Sequence, residues 1–203
     1  MTPSDQPARA RRPQQERADA ARNRARILAA AQELFAARGA AGLTMDDIAR
    51  AAGVGRGTLY RRYPDVASIA VALLDEHERE LQENLLRGEP PLGPGAPPAE
   101  RLSAFYAAMV SLLEEHAPLV LGAETGASRF GTGAYGFWRA HVRALLREAR
   151  TERPDALVDI LLAPLAPEVY LHQRNTVGLT PEQIAEGLHR LAHGLAAPPD
   201  RAA

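Results

Sequence analysis

The chain has 203 residues, a net charge near zero and no cysteine; it is long enough to bury its own core, and disulfide staples, thiol catalysis and Cys-type zinc sites are excluded. No run approaches eighteen apolar residues and the first twenty are polar, so a soluble, cytoplasmic protein without a membrane partner is expected. Charge is unevenly spread, with twelve Arg against six acids in residues 1–63 and twelve Arg against nineteen acids in residues 64–203, which points a polyanion toward the front of the chain.

Residues 1–20 contain three prolines and no apolar period, and are expected to form a disordered arm. A first helix is predicted from about Ala21 to Arg38, where Ile27, Leu28, Ala31, Leu34 and Phe35 recur at three- and four-residue intervals before Gly39. Thr44 is placed to cap a second helix, with Asp46 and Asp47 in its first turn, and Gly53 can take the left-handed conformation that ends it. A short third helix is expected over about Gly55 to Tyr63, and Pro64 and Asp65 restart the chain into a long helix reaching about Arg87.

The segment 88–98 is too rich in Pro and Gly for regular structure. Beyond it Leu102, Phe105, Tyr106, Met109, Leu113 and His116 trace a helix from about Ala99 to His116, and Pro118 is expected to restart a short helix to about Gly126, followed by a loop over 127–133. A helix from about Ala134 to Thr151 puts Trp138, His141, Val142 and Leu145 on one face. The next, about Asp155 to His172, is apolar nearly all round and should be kinked or cut short by Pro164 and Pro167. Thr180, Pro181 and Gln183 open a last helix that ends at Gly194. No strand pattern or internal repeat is present, so the fold class is all-α.

Residues 44–63 meet the requirements of a helix-turn-helix one by one. Ala49 is small where the second helix crosses, Gly53 makes the turn, and Ile48, Val54 and Leu59 fill the space between the helices. The exposed side of the short helix then carries Arg56, Thr58, Tyr60, Arg61 and Arg62, donors suited to phosphates and base edges.

The run LTMDDIARAAGVGRGTLYRRYPD, residues 43–65, resembles the TetR family of regulators, and the likeness extends over about residues 22–80. The resemblance implies an N-terminal three-helix helix-turn-helix domain at 21–65 and a helical effector-binding and dimerisation domain at 66–197; residues 198–203, opening on two prolines, are expected to be a disordered tail. It places Arg56, Gly57 and Thr58 at base edges, Thr44, Tyr60 and Arg62 at phosphates, and Arg61 at either. Two residues depart from the family's pattern: Gly55 stands where a Ser is frequent, and Val66 where a phosphate-binding Lys is common. An arm carrying Arg9, Arg11, Arg12 and Arg17 could compensate in the minor groove.

One recognition helix reads only a few bases, so two copies on a pseudo-palindromic operator in double-stranded DNA are expected. The resemblance implies a homodimer through the last two helices and a repressor released by a small-molecule effector of unknown identity. Phe105, Met109, Leu113, His116, Trp138, His141 and Val142 are the candidate pocket residues, with Glu124 and Arg129 able to orient a polar group. The same residues also suit a solid core, which would leave a constitutive or architectural DNA-binding protein. An enzyme using His77, His116 and Glu124 for acid–base work has only residue type behind it, so no catalytic residue, cofactor or metal is assigned. His189 and His193 have the spacing of a metal pair but lack a Cys partner or an HExxH glutamate, and read as a solvated or dimer-rim face.

Overall fold

The computed structural model describes residues 13–38, 43–123, 130 and 133–194. Among these all regular structure is helical: α1 (Pro13–Arg38), α2 (Met45–Ala52), α3 (Arg56–Tyr60), α4 (Val66–Arg87), α5 (Pro98–Ala123), α6 (Gly133–Glu148), α7 (Pro154–Leu162), α8 (Pro167–His172) and α9 (Pro181–Gly194). The chain divides into two compact units, Met1–Leu73 and Leu74–Ala203.

The first unit is built on the apolar stripe of α1. Ile27, Leu28 and Ala31 pack with Ile48 and Ala49 of α2, Leu59 of α3, Tyr63, and Ile69 and Leu73 from the start of α4. Ile27, Ile48, Leu59 and Ile69 are almost completely buried, and each such side chain contributes roughly 1.5–3 kcal/mol of hydrophobic stabilisation. Helix α1 starts at Pro13 rather than at Ala21. Pro13 supplies a pre-set first-turn φ, and the following QQERADA run consists mostly of good helix formers, so the helix extends through part of the segment expected to be disordered. Arg17 is therefore helical, while Arg9, Arg11, Arg12 and the tail at 198–203 lie outside the described residues.

In the second unit α5 is the axis, packed by α6, α8 and α9. Phe105, Tyr106 and Leu113 of α5 meet Val142 of α6, Val158 and Leu161 of α7 and Tyr170 of α8 in one core. The Tyr106 hydroxyl, buried with them, donates to the Leu161 carbonyl at 3.0 Å. On α5, Glu114 is gripped by Arg174 with two bonds of 2.7 and 2.9 Å, and the Tyr170 hydroxyl donates to the same carboxylate. Arg139 of α6 makes a similar fork to Asp159 of α7, at 2.8 and 3.0 Å.

Pro118 does not divide α5, which keeps its helical course to Ala123. A proline forfeits one backbone donor, and here the turns on either side hold the helix together. Pro164 and Pro167 act as expected: the apolar segment passes from α7 through a short 3₁₀ turn at Ala163–Leu165 into α8. Thr180 and Gln183 cap α9 reciprocally, at 2.8 and 3.3 Å. The Pro/Gly segment after α4 closes tightly enough that a Cβ on Gly93 would stand 1.8 Å from the Gly88 carbonyl oxygen, so only glycine fits. Glu124 and Arg129 lie outside the described residues.

Candidate nucleic-acid interface

Thr44 caps α2 with a reciprocal box. Its hydroxyl oxygen accepts from the Asp47 N–H at 3.2 Å, and the Asp47 carboxylate accepts from the Thr44 N–H at 3.1 Å and from the Thr44 hydroxyl at 2.6 Å. These bonds hold the Asp47 carboxyl below its ordinary range. Thr44 itself stays exposed at the start of α2.

The turn that follows depends on Gly53, whose φ of 59° lies in the left-handed region. The Val54 N–H returns to the Ala49 carbonyl at 3.0 Å, closing the helix end. A second constraint comes from α1, because Arg26 donates to the Gly53 carbonyl at 2.8 Å and a Cβ at Gly53 would stand 2.5 Å from the Arg26 guanidinium. Sequence reasoning missed Arg26. An exposed Arg among the neighbouring Arg22 and Arg24 carries no local signal for a partner 27 residues away.

Helix α3 buries Leu59 completely and Thr58 partly, leaving Arg56, Gly57, Tyr60, Arg61 and Arg62 exposed in and just after it. Gly55 caps it without a side-chain bond. At Gly57 a Cβ would meet nothing within 4 Å, so the backbone there is open to close approach. Arg56 pairs with Asp46 of α2. Arg61 lies back along its own helix, its Nε donating to the Gly57 carbonyl at 3.1 Å and its Nη2 reaching the Thr58 hydroxyl at 3.5 Å. Arg62 donates to the Ala20 carbonyl of α1 at 2.9 Å.

Asp19, Ala20, Asn23 and Ile27 of α1 face Thr58, Arg61 and Arg62 across an open groove of about 740 Å³. Six of the seven residues named for DNA contact thus share α3 and its exit, and Thr44 sits at the start of the preceding helix. Val66, where a Lys anchor is common, is instead half-buried against the first core. Its apolar side chain gains more from that packing than from solvent.

Of the seven candidate pocket residues, Phe105, Met109, Leu113, Trp138 and Val142 lie in the second core, and His116 and His141 are buried. Phe105 stacks near Trp138 and His141, with ring centres 5.8 and 5.3 Å apart. Met109, Leu113 and Trp138 line an apolar cavity with Leu112, Leu162 and Leu165; Phe105, His116, His141 and Val142 do not line it. Its free space is about 40 Å³, room for a few waters against the roughly 300–1,000 Å³ of an ordinary ligand pocket. Burial, with the Arg101 charge adding, pushes His141 down to about 4, and its Nε2 has no hydrogen-bond partner. Burial, with the His77 charge adding, likewise lowers His116 to about 4. His116 stands 2.7 Å from the His77 ring nitrogen. His189 is exposed, bonds the Ser103 hydroxyl at 2.7 Å and lies beside His193 on α9.

A capped helix, a left-handed glycine turn and a short second helix with one buried anchor and a donor-rich outer face make up a helix-turn-helix. Residues 27–73, about a quarter of the chain, match the family model described as bacterial regulatory proteins, tetR family. An uncharacterized HTH-type transcriptional regulator of Mycobacterium tuberculosis is 46% identical over 52 residues, which are 26% of this chain and 28% of that protein. The chain therefore spans little more than a quarter of the length of the curated relatives it matches.

Solved structures extend the likeness of fold across both units. A TetR/AcrR-family regulator from Thermobifida fusca superposes with a TM-score of 0.58 at 18% identity, over 88% of this chain and 98% of its own. The fatty acid degradation regulator FadR from Bacillus halodurans gives 0.58 at 17% identity, over 84% and 97%. Among the described residues no helix is long and apolar enough to cross a membrane.

Proposed function

We propose that the protein is a homodimeric, sequence-specific regulator of transcription that lays α3 into the DNA major groove and leaves its operator when a small hydrophobic molecule enters the second unit. The observation that carries the reading is α3 itself. Its only fully buried side chain, Leu59, anchors the helix, while Arg56, Gly57, Tyr60, Arg61 and Arg62 stay exposed. Arg56, Gly57 and Thr58 are assigned to base edges, Thr44, Tyr60 and Arg62 to phosphates, and Arg61 to either.

Dimerisation through the last helices is supported by apolar side chains that their own unit leaves uncovered. Ile160, Val169 and Leu191 are exposed on α7, α8 and α9. An effector site is supported by the apolar lining around Met109, Leu113 and Trp138. The small size of the cavity favours a second reading, a constitutive DNA-binding protein without effector, and an effector would have to open this core to enter.

Selection of the purified protein against random duplex DNA tests the first part. Enrichment of a pseudo-palindrome with half-sites about one helical turn apart is expected, and failure to enrich any sequence would overturn it. A thermal-shift screen with hydrophobic compounds separates the two readings, because a ligand of the folded state must raise the melting temperature. A screen without any stabilising compound would favour the constitutive protein.

A further inference from the structure

Neither the DNA-reading face nor the apolar cavity uses a cluster formed where α4 meets α5 in the second unit. His77 projects from α4; Glu115 and His116 come from α5. His77 Nδ1 lies 2.7 Å from His116 Nε2, and the Glu115 Oε2 lies 3.4 Å from the first nitrogen and 3.7 Å from the second, so each residue brings one potential ligand atom to the cluster.

A triangle with those sides has a circumscribed radius of about 1.9 Å, so a position just out of its plane lies about 2.0–2.1 Å from all three atoms. That is the bond length of zinc to imidazole nitrogen and to a carboxylate oxygen. We propose that His77, Glu115 and His116 bind a divalent transition-metal ion of the zinc class, with water completing the coordination.

The donor set argues for that class of ion. Two imidazoles and one carboxylate suit zinc and its neighbours, whereas calcium and magnesium call for an all-oxygen shell. The burial gradient argues for an accessible site: His116 is buried, His77 is partly buried and Glu115 is half exposed, which leaves one side for water and for entry of the ion. The two nitrogens stand closer than the ~3.3 Å of neighbouring ligands on tetrahedral zinc, so loading separates the rings by about 0.6 Å, a small side-chain rotation. In the absence of metal the same approach is a hydrogen bond between the two rings, one donating and one accepting. A bound ion would replace that bond with a cross-link between helices whose ligands are 39 residues apart.

The test uses the untagged full-length protein, titrated with Zn²⁺ by equilibrium dialysis and with Co²⁺ by visible spectroscopy, in a buffer that does not chelate. One ion per chain is expected, with cobalt bands of four- or five-coordinate intensity and a raised melting temperature. Affinity should fall at least about tenfold in both His77→Ala and Glu115→Gln, and should be unchanged when His189 and His193 are both replaced by Ala. If His77→Ala does not fold, the exposed Glu115→Gln carries the comparison. Substoichiometric binding, binding that survives both substitutions, or binding lost with His189 and His193 would each overturn the site. None of these readouts involves DNA, so they stand or fall apart from the proposed operator binding.

Discussion

Helix α3 in the first unit gives up one side chain, Leu59, to the core and leaves Arg56, Gly57 and Tyr60 exposed, whereas α5 in the second unit buries Phe105, Tyr106, Leu113 and His116 along its length. The stability of α3 comes from a single anchor and from its neighbours: the Gly53 turn, the Arg26 bond to that turn and the Arg62 bond to α1. The stability of α5 comes from its own interdigitated core. A short helix that invests so little in packing and displays so many donors is shaped for a partner. The apolar interior of the second unit is shaped first for itself, and any ligand must compete with contacts already made.

Leu59→Ala sharpens this contrast most strongly. Removing the one buried side chain of α3 should cost about 2–5 kcal/mol, read as a loss of denaturant midpoint, and should abolish DNA binding together with stability. Tyr106→Phe probes the other core. It leaves the Leu161 carbonyl without its donor and should cost about 1–3 kcal/mol while leaving DNA affinity per folded molecule unchanged; an equal loss of DNA affinity would break the contrast.

The His141 environment predicts a pH dependence. Its folded-state value, lowered to about 4 by burial, lies below the ordinary 6.5 of an exposed histidine, so between these values the unfolded chain holds more protons than the folded one. Stability should therefore be highest above pH 6.5 and fall as pH drops toward 4, by up to about 1.4 kcal/mol per pH unit from this group. The slope should flatten in His141→Gln, as read by chemical denaturation across that window. Phe105 and the Arg101 charge are the neighbours that face the ring.

The smallest expected effect is a gain. At Gly55 a Cβ would approach only the Thr58 hydroxyl, at 4.0 Å, and φ is −68°. Gly55→Ser should add an N-cap bond worth a few tenths of a kcal/mol, roughly, seen as a slight rise in melting temperature without loss of binding.

The parts legible in the sequence were those encoded locally. Thr44, Gly53, the apolar periods and the prolines at 164 and 167 act within a few residues of themselves, so pattern and capping chemistry sufficed to place them. Positions decided by distant partners were not legible. Pro118 lies inside a helix whose neighbouring turns hold, Arg26 finds Gly53 and Arg62 finds Ala20 across 27 and 42 residues, and His116 faces His77 rather than the cavity. Among the pocket candidates, hydrophobic spacing correctly marked buried residues but could not tell those lining free space from those filling it, because both tasks select the same side chains.

The central claim is that the outer face of α3 and its exit meet DNA. Binding of a selected duplex should be measured against salt concentration for the wild-type protein, Arg62→Ala and, as a control on the second unit, Arg139→Ala. Losing one phosphate contact per subunit should weaken binding across sequences and lower the salt slope by about one per subunit in Arg62→Ala, with the control unchanged. A wild-type slope and affinity in Arg62→Ala, or an equal loss in Arg139→Ala, would contradict the account.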